Sequence, residues 1–190
     1  MDRLLKFFFE IGTLRKIARA HRQNLLTDDL SDNIASHSYR VAIIAYFLAL
    51  KEKVDVEKVI TMALFHDIGE TRSGDQTWIH KRYVHVYEDE ILEDQLKGLT
   101  SQDKLYKLML EYQERKTKEA KLAKDADILD QLLLLREYIA QGNQIAPRWL
   151  YSKGALKRLY SKTAKDIANE LYEIENPEFW AFSIATDKRR

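Results

Sequence analysis

His66, Asp67 and Glu70 stand together in Leu64-Phe65-His66-Asp67-Ile68-Gly69-Glu70-Thr71, and Asp75 lies five residues past the glutamate. They follow an apolar run, Val59 to Phe65, which places the His-Asp pair at the end of a buried helix. Ionised carboxylates and imidazoles are costly to bury unless they are paired or bound to a cation. An imidazole beside a carboxylate offers one nitrogen and one oxygen to a single ion, a set that suits a borderline divalent metal. On a regular helix the two side chains point about 100° apart. Their convergence requires the helix to fray, and Gly69 is placed to allow it. The same residues also fit a capped helix end with solvated charges, so the decision rests on the rest of the chain.

Two further segments carry suitable groups. His37 opens Ser36-His37-Ser38-Tyr39-Arg40, ahead of Val41, Ile44, Ala45 and Leu48 at the i, i+3, i+4, i+7 spacing of a core helix. Asp125, Asp127 and Asp130 stand at the entrance to a Leu-rich run ending at Leu135. Alone, a helix-start histidine is commonly a surface or capping residue, and a first-turn Asp can simply favour the helix dipole. Together, His37, His66-Asp67 and an Asp near 127 come from three helices. Such a set closes around one divalent ion and leaves positions for water and a phosphate oxygen. Asp125, Asp127 and Asp130 all stay open as the last ligand at this point. Mn, Co, Zn, Fe, Ni and Mg stay open as the metal.

Composition sets the frame for these helices. The 190 residues contain 6 Gly and 2 Pro, so breakers are few and an all-α fold of long helices is expected. A 45% hydrophobic and 32% charged chain of this length suits one globular domain spanning 1–190. A net charge of +1 gives no sign of a surface that coats nucleic acid. With no cysteine, disulfides, thiolate catalysis and Cys-based zinc sites are excluded. The apolar start around Phe7-Phe8-Phe9 is interrupted by Lys6 and Glu10, which fits an amphipathic helix and neither a signal peptide nor a membrane span. Cytoplasm is the default location.

Spacing predicts one helix from Leu4 to about Leu25 with a break near Gly12, a loop over 24–34, and helices from Ser36 and over 56–67. Asp75 falls in a polar turn. His80 and His85, among aromatic and basic neighbours from Trp78 to Tyr87, read as surface or interface residues, with a second metal site as the alternative. Helices follow over 88–99 and 101–118, the latter able to run on into the Leu-rich segment. A loop through Gly142, Pro147 and Tyr151, helices over 154–159 and 163–173, and an aromatic tail Phe179-Trp180-Ala181-Phe182 complete the chain.

The pattern His … His-Asp … Asp resembles the HD-domain metal-dependent phosphohydrolases. It is most similar to the branch with bacterial 5'-deoxynucleotidases and related archaeal and eukaryotic proteins. Arg19, His37-Ser38, His66-Asp67-Ile68-Gly69-Glu70-Thr71-Arg72-Ser73-Gly74-Asp75 and Ala126-Asp127 carry the likeness, across roughly residues 14 to 138. The resemblance implies that His37, His66, Asp67 and Asp127 hold the metal, and that Glu70 orients or deprotonates the attacking water. It further implies that Asp75 assists at the sugar or leaving oxygen, that Arg19 binds the phosphate, and that the protein is a homodimer. Arg22 competes for the phosphate role, lying at about the family distance ahead of His37. Two residues depart from the branch: Ser36 stands where an acidic residue is common, and Ala20 replaces a Trp that helps exclude the ribose 2'-hydroxyl.

The resulting expectation is a phosphomonoester hydrolase acting on a nucleoside 5'-monophosphate, without stable nucleic-acid or membrane partners. An HD hydrolase of another phosphate ester or polyphosphate nucleotide, and a non-catalytic all-α metal-binding or scaffold protein, are the rival readings.

Overall fold

A computed structural model describes residues 2–177. Among them are twelve α-helices and no β-strand, as an all-α fold requires. The helix α1 (Arg3–Ile11) starts on Asp2, whose side chain accepts from the Leu4 N–H, and passes into a 3₁₀ turn over Gly12–Lys16. The break expected near Gly12 is there, but the helix does not resume directly and run to Leu25. Ile17 is extended, Ala18 makes an isolated antiparallel bridge with Asn33, and a short α2 (His21–Leu25) follows. The physical reason is an exchange of partners. Ile34 N–H donates to Ile17 O at 3.0 Å and Arg19 N–H to Asp32 O at 3.1 Å, replacing intrahelical bonds.

α3 (Ile34–Glu52) begins two residues earlier than the spacing suggests, because Asn33 caps it by accepting from the Ser36 N–H. α4 (Val56–Phe65) starts on an Asp55 cap. Four short elements follow: α5 (Glu70–Ser73), α6 (His80–Tyr83), α7 (Glu88–Leu96) and α8 (Gln102–Glu114). Arg115 in the left-handed conformation and a Thr117 cap separate α8 from α9 (Lys118–Ala140), so the two do not run together. The chain then forms α10 (Ala146–Leu150), α11 (Gly154–Arg158) and α12 (Lys162–Glu173). Pro147 sits in the first turn of α10, where a missing N–H costs nothing, so a helix replaces the expected loop. The aromatic tail lies outside the described residues.

α9 is the axis of the fold, packing against α3, α4, α8, α10 and α12. It buries apolar groups all round, among them Leu122, Leu129, Leu132 and Tyr138. α3 and α9 each carry fully buried alanines, Ala45 and Ala49 on one and Ala120 and Ala126 on the other, residues small enough to let backbones approach. Asp125, a rival ligand in sequence, points elsewhere. Its two carboxylate oxygens accept the N–H groups of Tyr160 and Ser161 at 2.7 and 2.8 Å, tying the entry of α12 to α9.

Asp125→Ala is therefore expected to destabilise the fold by about 1–3 kcal/mol for each buried donor left without a partner. Metal affinity per folded molecule should stay unchanged. Urea unfolding followed by metal titration checks both; weakened metal binding in a stable variant would return Asp125 to the site.

Candidate active site

The first turn of α3, the end of α4 and the middle of α9 meet at one point. His37 Nε2 lies 3.3 Å from His66 Nε2, 3.4 Å from Asp127 Oδ1 and 3.5 Å from Asp67 Oδ2. His66 Nε2 lies 3.1 Å from the same Asp67 oxygen. Ligand atoms of His37, His66 and Asp127 all fall within 4.8 Å of one another. His80 and His85 take no part: His80 Nδ1 accepts from the Thr77 N–H, and His85 packs edge-on to Tyr87.

Convergence of His66 and Asp67 does not use Gly69 as expected. α4 stops at Phe65, and residues 66–69 form a tight turn closed by Ile68 N–H to Phe65 O and Glu70 N–H to Asp67 O. Gly69 itself has φ −60°, open to any residue. The glycine that matters is Gly74, at φ +69°, which ends α5 and delivers Asp75.

The chemistry of the donors fits a cation. Each imidazole spends its Nδ1 on a fixed acceptor, His37 on Asp130 Oδ2 at 2.6 Å and His66 on the Ala63 carbonyl at 2.7 Å. With Nδ1 protonated, both Nε2 lone pairs point into the cluster beside two carboxylates. That arrangement is repulsive until a proton or a metal enters it. Burial opposes protonation of His37, as does the Arg19 charge, but hydrogen bonds to Asp127, Asp130 and Asp67 raise its pKa well above the ordinary value. Burial would raise Asp67 and Asp127 as well. His66 and His37 beside the first, and Lys124 with both histidines beside the second, hold the two carboxyls well below the usual range.

Glu70 behaves oppositely. Burial first, then the charges of Asp67 and Asp75, push its pKa up to about 9. Its Oε2 is buried without a hydrogen-bond partner. Asp75 is partly committed, since its Oδ2 accepts the Ala20 N–H at 2.7 Å and lies 3.4 Å from Arg19 Nε.

Arg19 faces this acidic group from the bridged segment. Burial lowers its pKa, but Asp67, Asp75, Asp127 and Glu70 together hold it raised. Its Nε and Nη1 are buried without a hydrogen-bond partner, and it lines a cleft of about 780 Å³ shared with Asp67, Glu70, Asp75 and Asp127. Arg22 does not line that cleft; its charge acts on Asp29, away from the cluster. Spacing alone gave the two arginines equal standing, and the bridge at Ala18 separates them.

Sequence reasoning missed one set altogether. Asp130 Oδ1 receives Arg40 Nε at 2.5 Å, and Arg40 Nη1 reaches Glu137. The signal was present as two i, i+3 pairs, His37/Arg40 and Asp127/Asp130, each on one helix face. Asp130 thus lies behind His37, on the Nδ1 side away from the cluster.

Comparison with known proteins gives the same class. The HD domain family model matches residues 11–175. The chain is 31% identical over 157 residues to the 5'-deoxynucleotidase HDDC2 of Dictyostelium discoideum, covering 76% of this chain and 82% of the relative. A conserved hypothetical protein from Pyrococcus furiosus shares the fold at TM-score 0.76 with 26% identity, over 90% of this chain and 99% of that one. A predicted metal-dependent phosphohydrolase from Magnetospirillum magnetotacticum gives a TM-score of 0.68, also at 26% identity, over 90% and 89% of the two chains. The chain belongs to the HD domain family.

The titrations make a joint prediction. His37, raised above its unfolded value, contributes stability below that value and loses it as pH rises through the folded pKa. Glu70, protonated in the fold up to about 9 but ionised when unfolded above about 4.5, opposes folding increasingly between those two values. Metal-free protein should therefore lose stability from near-neutral to alkaline pH. Metal replaces protons, so the rise in Tm on adding Co²⁺ should grow over the same range. Melting curves at pH 6 and pH 8.5, with and without Co²⁺, decide; a metal effect that shrinks with pH would contradict this assignment.

Proposed function

We propose that this chain is a metal-dependent phosphohydrolase that removes the phosphate of a nucleoside 5'-monophosphate with water as the nucleophile. The carrying observation is a buried guanidinium, Arg19, whose Nη1 has no hydrogen-bond partner, lining the same cleft as Asp67 and Asp127 of the His-His-Asp-Asp cluster. The name of the Dictyostelium relative supports the nucleotide. His37, His66, Asp67 and Asp127 are the residues that would hold the metal. A divalent ion there supplies acidified water and neutralises charge on the phosphoryl oxygens.

The remaining residues divide the work by environment. Arg19 gives a phosphate two donors in a fork. Glu70, beside Asp67 and kept from ionising by burial, orients the attacking water and takes its proton once positive charge stands nearby. Asp75 secures Arg19 and the Ala20 amide through one oxygen and, lining the same cleft, assists at the sugar or leaving oxygen. Ala20 leaves room where the branch carries a Trp, so deoxyribose is not enforced at that position. Exposed Lys81, Arg148 and Arg158 line the same cleft and favour, as a second reading, a substrate carrying more than one phosphate.

A panel of nucleoside mono-, di- and triphosphates with Co²⁺, Mn²⁺ or Mg²⁺ separates the readings. The monophosphatase releases inorganic phosphate from monophosphates, while pyrophosphate or triphosphate release selects the second reading. Glu70→Gln should cut kcat about 10²–10⁴-fold. Arg19→Met should cut kcat/KM about 10–100-fold, the equivalent of about 1.5–3 kcal/mol for a charged hydrogen bond. Metal-dependent turnover unaffected by Glu70→Gln would end this mechanism.

We also infer that the chain acts as one domain and as a homodimer in the cytoplasm. Among the described residues no helix is long and apolar enough to cross a membrane. Tyr39, Ile43, Phe47 and Leu50 form an exposed apolar row along α3, and Trp78, Tyr83 and Tyr87 are exposed near α6. Light scattering should give twice the chain mass, and Phe47→Glu with Ile43→Glu should halve it. An unchanged dimer would move the interface elsewhere.

A further inference from the structure

His66 is oriented by a backbone carbonyl, but His37 depends on a side chain. That side chain, Asp130, is buried and does not line the Arg19 cleft; one oxygen accepts His37 Nδ1–H and the other accepts Arg40 Nε–H. Arg40 is about one-third exposed and also donates to Glu137, about two helical turns further along from the Asp130 carbonyl that Arg40 Nη2 reaches. A carboxylate, two helices and a second carboxylate are thus joined through one guanidinium.

We propose that Asp130, clamped by the Arg40–Glu137 pair, is the positioning residue that prepares His37 for metal. The inference rests on the metal-site reading above. An ionised carboxylate has only lone pairs to offer, so it compels the His37 proton onto Nδ1 and leaves Nε2 bare. An amide in its place offers either a donor or an acceptor. Half of its options therefore put the proton on Nε2, where it blocks the ligand position. The carboxylate also raises the basicity of the nitrogen that binds. Arg40 supplies the counter-charge to Asp130, and its three nitrogens reach Asp130 Oδ1, the Asp130 carbonyl and Glu137 at once, which a point charge does not. A purely structural Asp130–Arg40 bridge between α3 and α9 would have no need of His37 as its third member.

The test measures metal binding without substrate, so its outcome is independent of which ester is cleaved. Co²⁺ affinity is determined by chelator competition, and the visible Co²⁺ spectrum reports the ligand geometry. Asp130→Asn should bind Co²⁺ about 10–100-fold more weakly with an altered spectrum, while the metal-free variant stays folded by circular dichroism. Arg40→Lys keeps the charge at a half-exposed position and loses the fork. It should weaken Co²⁺ binding in the same direction by a smaller factor, and it serves if Asp130→Asn does not fold. Wild-type affinity and spectrum in folded Asp130→Asn, or in Arg40→Lys, would overturn the positioning role and leave the phosphohydrolase reading intact. Wild-type protein that bound no Co²⁺ would overturn both.

Discussion

Two imidazole lone pairs and two carboxylates held within about 3.5 Å of His37 Nε2 cannot coexist in a buried space without positive charge. Most features of the site follow from that constraint. Arg19 and Lys124 stand against the carboxylates, and Asp67 and Asp127 stay ionised in spite of burial because those charges and the histidines surround them. Glu70, next in line, also feels Arg19 and His37, but burial and then the charges of Asp67 and Asp75 outweigh them and drive its pKa up to about 9. Carboxylates a few residues apart are thereby sorted into permanent anions and a group able to exchange a proton. The local repulsion is a cost to stability carried by the packing of α9 against its neighbours.

That packing also explains why the cluster is rigid. The cluster residues sit at the start of α3, the end of α4 and the middle of α9, all within the most densely packed part of the fold. Buried alanines bring α3 and α9 close, so side chains as short as Asp reach across the gap. Asp130 and Arg40 then close the ring behind His37.

Much of this was legible in the sequence, and the parts that were not share a cause. Helical periodicity and scarce breakers gave the all-α class and the core helices, since burial of an apolar stripe is a local pattern. The pairing of His66 with Asp67 and the separation of His37 and Asp127 on other helices gave the cluster. What the pattern could not give was any feature set by partners distant in the chain. The helix expected through Leu25 fails because Ile17 and Arg19 bond to Asp32 and Ile34. Arg19 and Arg22 look equivalent until that bridge separates them. Asp125, Asp127 and Asp130 differ by a few residues, yet one caps α12, one faces the cluster and one backs His37. A rotation of about 100° per residue is enough to send neighbours to different jobs.

The broken helix has a further consequence for how the site holds together. Backbone groups freed at residues 17–20 are taken up by Asp32, Ile34 and the side chain of Asp75. The same bridge leads directly into Asn33, which caps the helix that carries His37. Arg19 is therefore fixed at one side to the start of the helix that carries His37 and at the other to the loop delivered by Gly74. An arginine on a free helix surface would lose rotamer freedom on meeting a phosphate; one already buried and braced has lost it during folding. Because Asp75 braces the arginine while sharing its cleft, loosening that loop disturbs phosphate binding and the Glu70 environment together. The site thus behaves as one electrostatic unit whose parts are sequence-distant but mechanically joined.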